Sequence, residues 1–129
     1  SKDIILYYKL NPNNTDIYDE VERENLIKNT LSSRFDISDK RLDNVTVDET
    51  KKEIHLRVVN REHNSGQITV NDFINSVSTT LDKDPIKIYN NKKNNFISKL
   101  TGIQVIYSNI EEVTDVPLDT TNFQDTVYE

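Results

Sequence analysis

His55 and His63 are the only imidazoles in the chain, and metal ligation or proton transfer is the chemistry they could serve. Neither stands in an H-E-x-x-H or H-x-H spacing, so no second nitrogen is brought onto the same face. His55 lies in EIHLRVV, where alternation sets it beside Glu53 and Arg57 and opposite Ile54, Leu56 and Val58. The expectation is a solvent-facing strand histidine. Asp36, Ser38, Asp39, Asp43, Asp48 and Glu49 form a loose acidic cluster. It lacks the D-x-D-x-D-G order and terminal Glu of a calcium loop, so a solvated face is expected. The absence of Cys removes disulfides and thiolate chemistry. Two glycines cannot build a phosphate-cradling loop, and no G-x-S-x-G pattern occurs. The residues therefore predict no enzyme, no cofactor and no metal.

The tripeptide Leu6-Tyr7-Tyr8 superficially matches the aromatic platform of an RNA-binding sheet. The later strand EIHLRVVN has no aromatic to complete it, and 16 Lys+Arg against 22 Asp+Glu give a net charge of −6. Such a surface repels phosphate, so no nucleic acid is expected. No apolar run approaches the roughly 20 residues of a membrane helix, which predicts no membrane insertion of this segment. Asn13-Asn14-Thr15 and Asn44-Val45-Thr46 fit the glycan acceptor pattern. In an Asn-rich chain two matches arise by chance. With Ser at position 1 the chain is expected to be processed or cut from something longer, which leaves the compartment open.

The elements that must position these residues follow from periodicity. Residues 44–60 read as a hairpin: Val45 and Val47 alternate with polar residues, as do Ile54, Leu56 and Val58, around an all-polar gap at 49–52 that suits a four- or five-residue loop. Residues 3–10 read as a strand buried on both faces. Ile17, Ile27, Leu31 and Phe35 make one stripe of a helix over 16–34, followed by a short turn capped by Ser38. Thr69 and Asp72 open a second helix whose Val70, Phe73, Ile74, Val77 and Leu81 share a face, and Pro85 closes it. Its apolar face is expected to bury against Ile54, Leu56 and Val58. Gly66 is the candidate for a positive φ in the loop before it. Ile86, Ile88 and Tyr89 suit a short strand or edge extension, residues 96–100 a helical turn ended by Gly102, and residues 103–107 the last strand.

The order β-α-β-β-α-β predicts an α+β, ferredoxin-like split βαβ domain over residues 1–110, with a four-stranded antiparallel sheet and two helices on one face. Strands 1 and 3 would be central. The apolar spacing of Leu31 and Phe35 in the helix, Ile37 to Leu42 in the link, Val45 and Val47, and Ile54, Leu56 and Val58 resembles the ferredoxin-like modules related to SEA domains of extracellular and cell-surface proteins. The resemblance spans about half the chain. It implies a noncatalytic module for adhesion or assembly. Self-cleavage is not carried over, because the cleaving members break a Gly-Ser bond before a Val run and here only the reversed Ser65-Gly66 occurs, outside the hairpin.

Residues 111–129 are acidic, contain Pro117 and space their apolar residues without a period. They predict an extended tail that runs across this domain's own sheet or, by preference, docks on a protein partner or neighbouring subunit, through Val116, Leu118, Phe123, Val127 and Tyr128. The function expected is a structural or protein-interaction module of an extracellular, cell-surface or virion assembly. The alternative is a small enzyme or ligand-binding domain using the open sheet face near His55.

Overall fold

The computed structural model describes residues 1–10, 19–89 and 95–106. Strand β1 (Lys2–Leu10) buries Ile4, Leu6 and Tyr8 on the core side and also Ile5 on the other side. Helix α1 (Glu20–Phe35) starts later than the expected 16, because Asp19 keeps an extended backbone and caps the helix instead. Its carboxylate accepts from the Val21 N–H at 2.8 Å and the Glu22 N–H at 3.2 Å, which satisfies two of the orphan donors of the first turn. Residues 16–18, with Ile17 of the expected stripe, lie outside the described residues. Ile27, Leu31 and Phe35 bury as expected, and Asp36 ends the helix in the left-handed region at φ 53°. The short turn follows at Asp39–Arg41, with Ser38 Oγ accepting from the Lys40 N–H.

Strands β2 (Leu42–Asp48) and β3 (Glu53–Val58) form the hairpin. β2 begins two residues before the expected 44, and the register shifts between Asp43 and Thr46. Asn44 takes φ 52° there, and the extra residue lets Leu42 and Val45 face the core together although they are three apart. The loop at 49–52 has the expected length. Asp48 Oδ1 accepts from the Thr50 and Lys51 N–H groups at 3.0 Å each, and Lys52 supplies the left-handed residue at φ 58°.

These bonds, the Lys51 amide's first, hold the Asp48 carboxyl below its ordinary value, with the Lys51 and His55 charges assisting. A depressed carboxylate supports the fold above its unfolded pKa and loses that support as pH falls through the folded one. An NMR titration of Asp48 is therefore expected to give a midpoint below that of an unstructured Asp, with the Thr50 and Lys51 amides losing protection through it. A midpoint at or above the ordinary value would contradict the loop geometry.

In the loop before the second helix the left-handed residue is Asn64, at φ 59°, and not Gly66. Asn reaches that region at little cost through its local hydrogen bonding, so the glycine was not required. Helix α2 (Val70–Lys83) is capped by Thr69, whose Oγ1 accepts from the Asp72 N–H at 3.0 Å, and it stops at Asp84 before Pro85. Strands β4 (Ile88–Tyr89) and β5 (Asn95–Ile106) complete the chain's regular structure among the described residues. The helical turn expected at 96–100 is absent, since β5 is one continuous strand through Gly102. Ile97 and Leu100 sit at helical spacing yet both face the core, because the ladder with β1 shifts register on either side of Lys9 and admits extra residues. Ser98 Oγ stitches this irregular stretch to the Lys9 and Leu10 carbonyls at 3.0 and 3.1 Å.

The sheet order is β2-β3-β1-β5-β4, and every pair is antiparallel. The architecture is thus α+β: four longer strands form an antiparallel sheet with two helices, and the two-residue β4 extends one edge. The helices bury into one cluster with Ile4, Leu6, Tyr8, Ile54, Leu56 and Val58. Phe73 and Val77 are fully buried in it, with Ile74 and Leu81 at its margin. The expected cover of the hairpin is shared differently, however: α1 lies along β2, and α2 runs principally along β5. Phe35 and Phe73 join the helices edge to face, their centroids 5.6 Å apart and their planes at 78°.

Candidate functional site

Alternation along the central strands leaves one sheet face without a helix among the described residues. Cross-strand register brings Asp3, Ile5 and Tyr7 of β1 beside Arg57, His55 and Glu53 of β3, and beside Ile106, Gln104 and Gly102 of β5. The side chains on this face satisfy one another in pairs. Arg57 Nε donates to Asp3 Oδ1 at 2.9 Å across the β1–β3 ladder. His55 Nε2 lies 2.9 Å from Glu53 Oε1, two residues along the same strand. The Tyr7 hydroxyl donates to Gln104 Oε1. The Tyr7 ring lies across Gly102, where an added side-chain carbon would stand 3.7 Å from Tyr7 Cδ2.

At the Arg57 end the face opens into a cleft of about 180 Å³ lined by Asp3, Asn44, His55, Arg57 and Ile106 with the backbone of neighbouring strands. The bulge at Asn44 sets that residue at the cleft's rim. Among the described residues no hydroxyl is hydrogen-bonded to the His55 ring, and no group of three or more His, Asp or Glu side chains could hold a metal ion. At the opposite end Lys9 and Lys99 stand directly across from each other in the β1–β5 register, both exposed. No ion-pair partner accompanies either among the described residues.

His55 is where alternation put it, half-exposed on the uncovered face. His63 is exposed in the loop before α2. The acidic cluster does not converge: Asp48 serves the hairpin loop, and Ser38 caps the 3₁₀ turn while its N–H donates to Gln67. Val116, Leu118, Phe123, Val127 and Tyr128, expected to bind a partner, lie outside the described residues, as does Asn13.

Two polar centres have no counterpart in the sequence reading. Arg41 is buried, its Nε donating to the Val59 carbonyl at 2.9 Å and its NH1 to the Ile68 carbonyl, while NH2 is buried without a partner. Burial, and then the charge of Arg61, lower its pKa from the ordinary value. Beneath the hairpin, Arg23 NH1 meets Glu49 Oε1 at 2.5 Å. The Tyr8 phenol in the same region is raised by burial and then by Glu49, with Arg23 opposing. Arg41 ties the turn before β2 to the chain after β3 and before α2, whereas the Arg23–Glu49 pair has an exposed carboxylate and adds little. Their signal was a single cation inside an otherwise polar link or helix face, which solvent-exposed lysines and arginines share.

The fold defines a small α+β protein in which one sheet face carries internally paired polar side chains and, among the described residues, no helix. No family model, curated protein or solved structure matches the chain. Among the described residues no helix is long and apolar enough to cross a membrane.

Proposed function

We propose that the chain is a noncatalytic structural or protein-interaction module, working in an extracellular, cell-surface or virion assembly and engaging a neighbouring protein through its C-terminal segment. The observation that carries this reading is the distribution of charge. Residues 107–129 hold six acidic and no basic side chains, so the whole net charge of −6 resides there and the remainder is balanced. A segregated acidic segment of this kind repels its own copies in the unpaired state and is suited to meeting basic groups on a partner. In this reading the order of the four longer strands corresponds to the split βαβ arrangement of ferredoxin-like folds, and the apolar spacing that resembles SEA-type modules supports the extracellular setting. Polar pairs that satisfy one another on the uncovered face favour recognition over turnover.

The test is removal of residues 113–129. The truncated protein is expected to keep nearly the parent's thermal stability, because every buried apolar residue among those described precedes residue 101. Its association with the neighbour is expected to be lost in sedimentation or light scattering. Undiminished association would overturn the reading. A second reading, a ligand-binding domain, is favoured by the cleft at Arg57 and His55 alone.

A further inference from the structure

We infer that Asn44 is the acceptor of an N-linked glycan that shields the open edge of the sheet at β2. The inference rests on the extracellular setting proposed above and adds a modification site to it.

The pattern Asn44-Val45-Thr46 arises from composition as readily as from purpose, so the grounds are structural. Val45 turns into the core and leaves Asn44 and Thr46 exposed on either side of it. Neither exposed side chain takes part in a hydrogen bond with another described residue. The Asn44 amide is thus engaged in no cap or turn, unlike Asp19, Ser38 and Asp48, whose side chains serve the backbone beside them. A sugar carried on its Nδ2 breaks no bond of the fold. The register shift between Asp43 and Thr46 leaves Asn44 without a Cα partner on β3, and its φ of 52° interrupts the pleat. That geometry accounts for Asn at 44, since Asn enters the left-handed region more readily than most residues. It does not call for a hydroxyl at 46, where Val would suit a strand as well as Thr.

The second ground is what the site stands beside. β2, seven residues long, is the last strand on its side of the sheet and pairs with β3 alone among the described residues. Such an edge offers free backbone groups on which another strand can pair. The opposite edge is only the two-residue β4. Asn44 also lines the cleft with His55 and Arg57, so a glycan begins where the edge and the cleft meet. Its bulk and hydration keep a pairing strand from β2 and obstruct the cleft.

The donor is a lipid-linked oligosaccharide pyrophosphate. Asn44 Nδ2 bonds to the anomeric carbon of the first sugar as the bond from that carbon to the pyrophosphate oxygen breaks. The lipid pyrophosphate leaves with the electron pair, Nδ2 gives up one proton to a base of the transferase, and nothing is oxidised or reduced.

The test sends the full chain through the secretory pathway of a eukaryotic cell behind a cleavable leader, and maps residue 44 of the secreted protein by mass spectrometry. The leader supplies the compartment, so the outcome speaks to the site and not to the setting. The parent is expected to carry a glycan at residue 44. Asn44→Gln and Thr46→Val are expected to lose it, whereas Thr46→Ser and Asn13→Gln keep it. Secreted parent that is bare at residue 44, or Thr46→Val that keeps the glycan, overturns the inference. For the shielding, the secreted Asn13→Gln chain is compared on mild heating with the same chain made bare in bacteria. The bare chain is expected to aggregate faster, and equal rates would show that the glycan does not protect the edge. The role of the C-terminal segment is read separately by its truncation: a bare residue 44 beside association lost on truncation leaves that role standing, and the converse leaves the glycan site standing.

Discussion

Val77→Asp is expected to cost about 4 kcal/mol or more of stability, because it sets an unpaired carboxylate in a fully buried position of α2. Val77 shares its cluster with Phe73, Ile54, Leu56 and Val58, all closed to solvent or nearly so. Domains of this size have roughly 5–15 kcal/mol in total, so the variant stands near or beyond the threshold of unfolding. Protonation lessens the burden: the neutral carboxyl is cheaper to bury, so the deficit is expected to shrink as pH is lowered. Thermal or urea unfolding decides the matter, and a variant as stable as the parent at neutral pH would show that α2 does not seal the core.

Arg41→Ala is expected to cost roughly 3 kcal/mol or more, from the space left by the side chain and from the Val59 and Ile68 carbonyls left without this donor. Those two bonds tie the turn before β2 to the chain leaving β3 and to the entrance of α2. Arg41→Met separates the contributions. It fills most of the space and removes a buried charge whose NH2 is unpartnered, while still orphaning the carbonyls. Its cost is expected to fall between zero and that of the alanine. Should Arg41→Ala lie within about 0.5 kcal/mol of the parent, as surface changes do, the tie would be structural ornament.

What could be read beforehand was what periodicity encodes. Alternation over 54–58 and the 3.6-residue stripe over 70–81 placed β3, α2 and their share of the core, and Thr69, Ser38 and Pro85 marked boundaries that the structure keeps. The residues that misled were those at bulges. Ile97 and Leu100 imitate helical spacing because an irregular ladder lets both face inward, and Leu42 joins β2 only because Asn44 turns left-handed. A bulge is a property of two paired strands, and a single strand's sequence does not carry it. The open face was half legible: His55, Glu53 and Arg57 share an alternation phase, but Asp3, Lys9 and Lys99 acquire partners or opponents only through cross-strand register. Arg41 was illegible for a different reason. Its burial follows from the meeting of three segments distant in sequence.

The antiparallel neighbours β1 and β5 place Asp3 directly opposite Ile106, so the chain enters and leaves the described fold side by side at one end of the sheet. Tension applied between those two points pulls perpendicular to the ladder. It loads the terminal hydrogen bond first, then the next, and opens the pair as a zipper instead of shearing all its bonds at once. A module strung by these two points would therefore yield to small forces, lengthening as β1 and β5 part. The same module held by its sheet face would transmit load across the face with that zipper left closed.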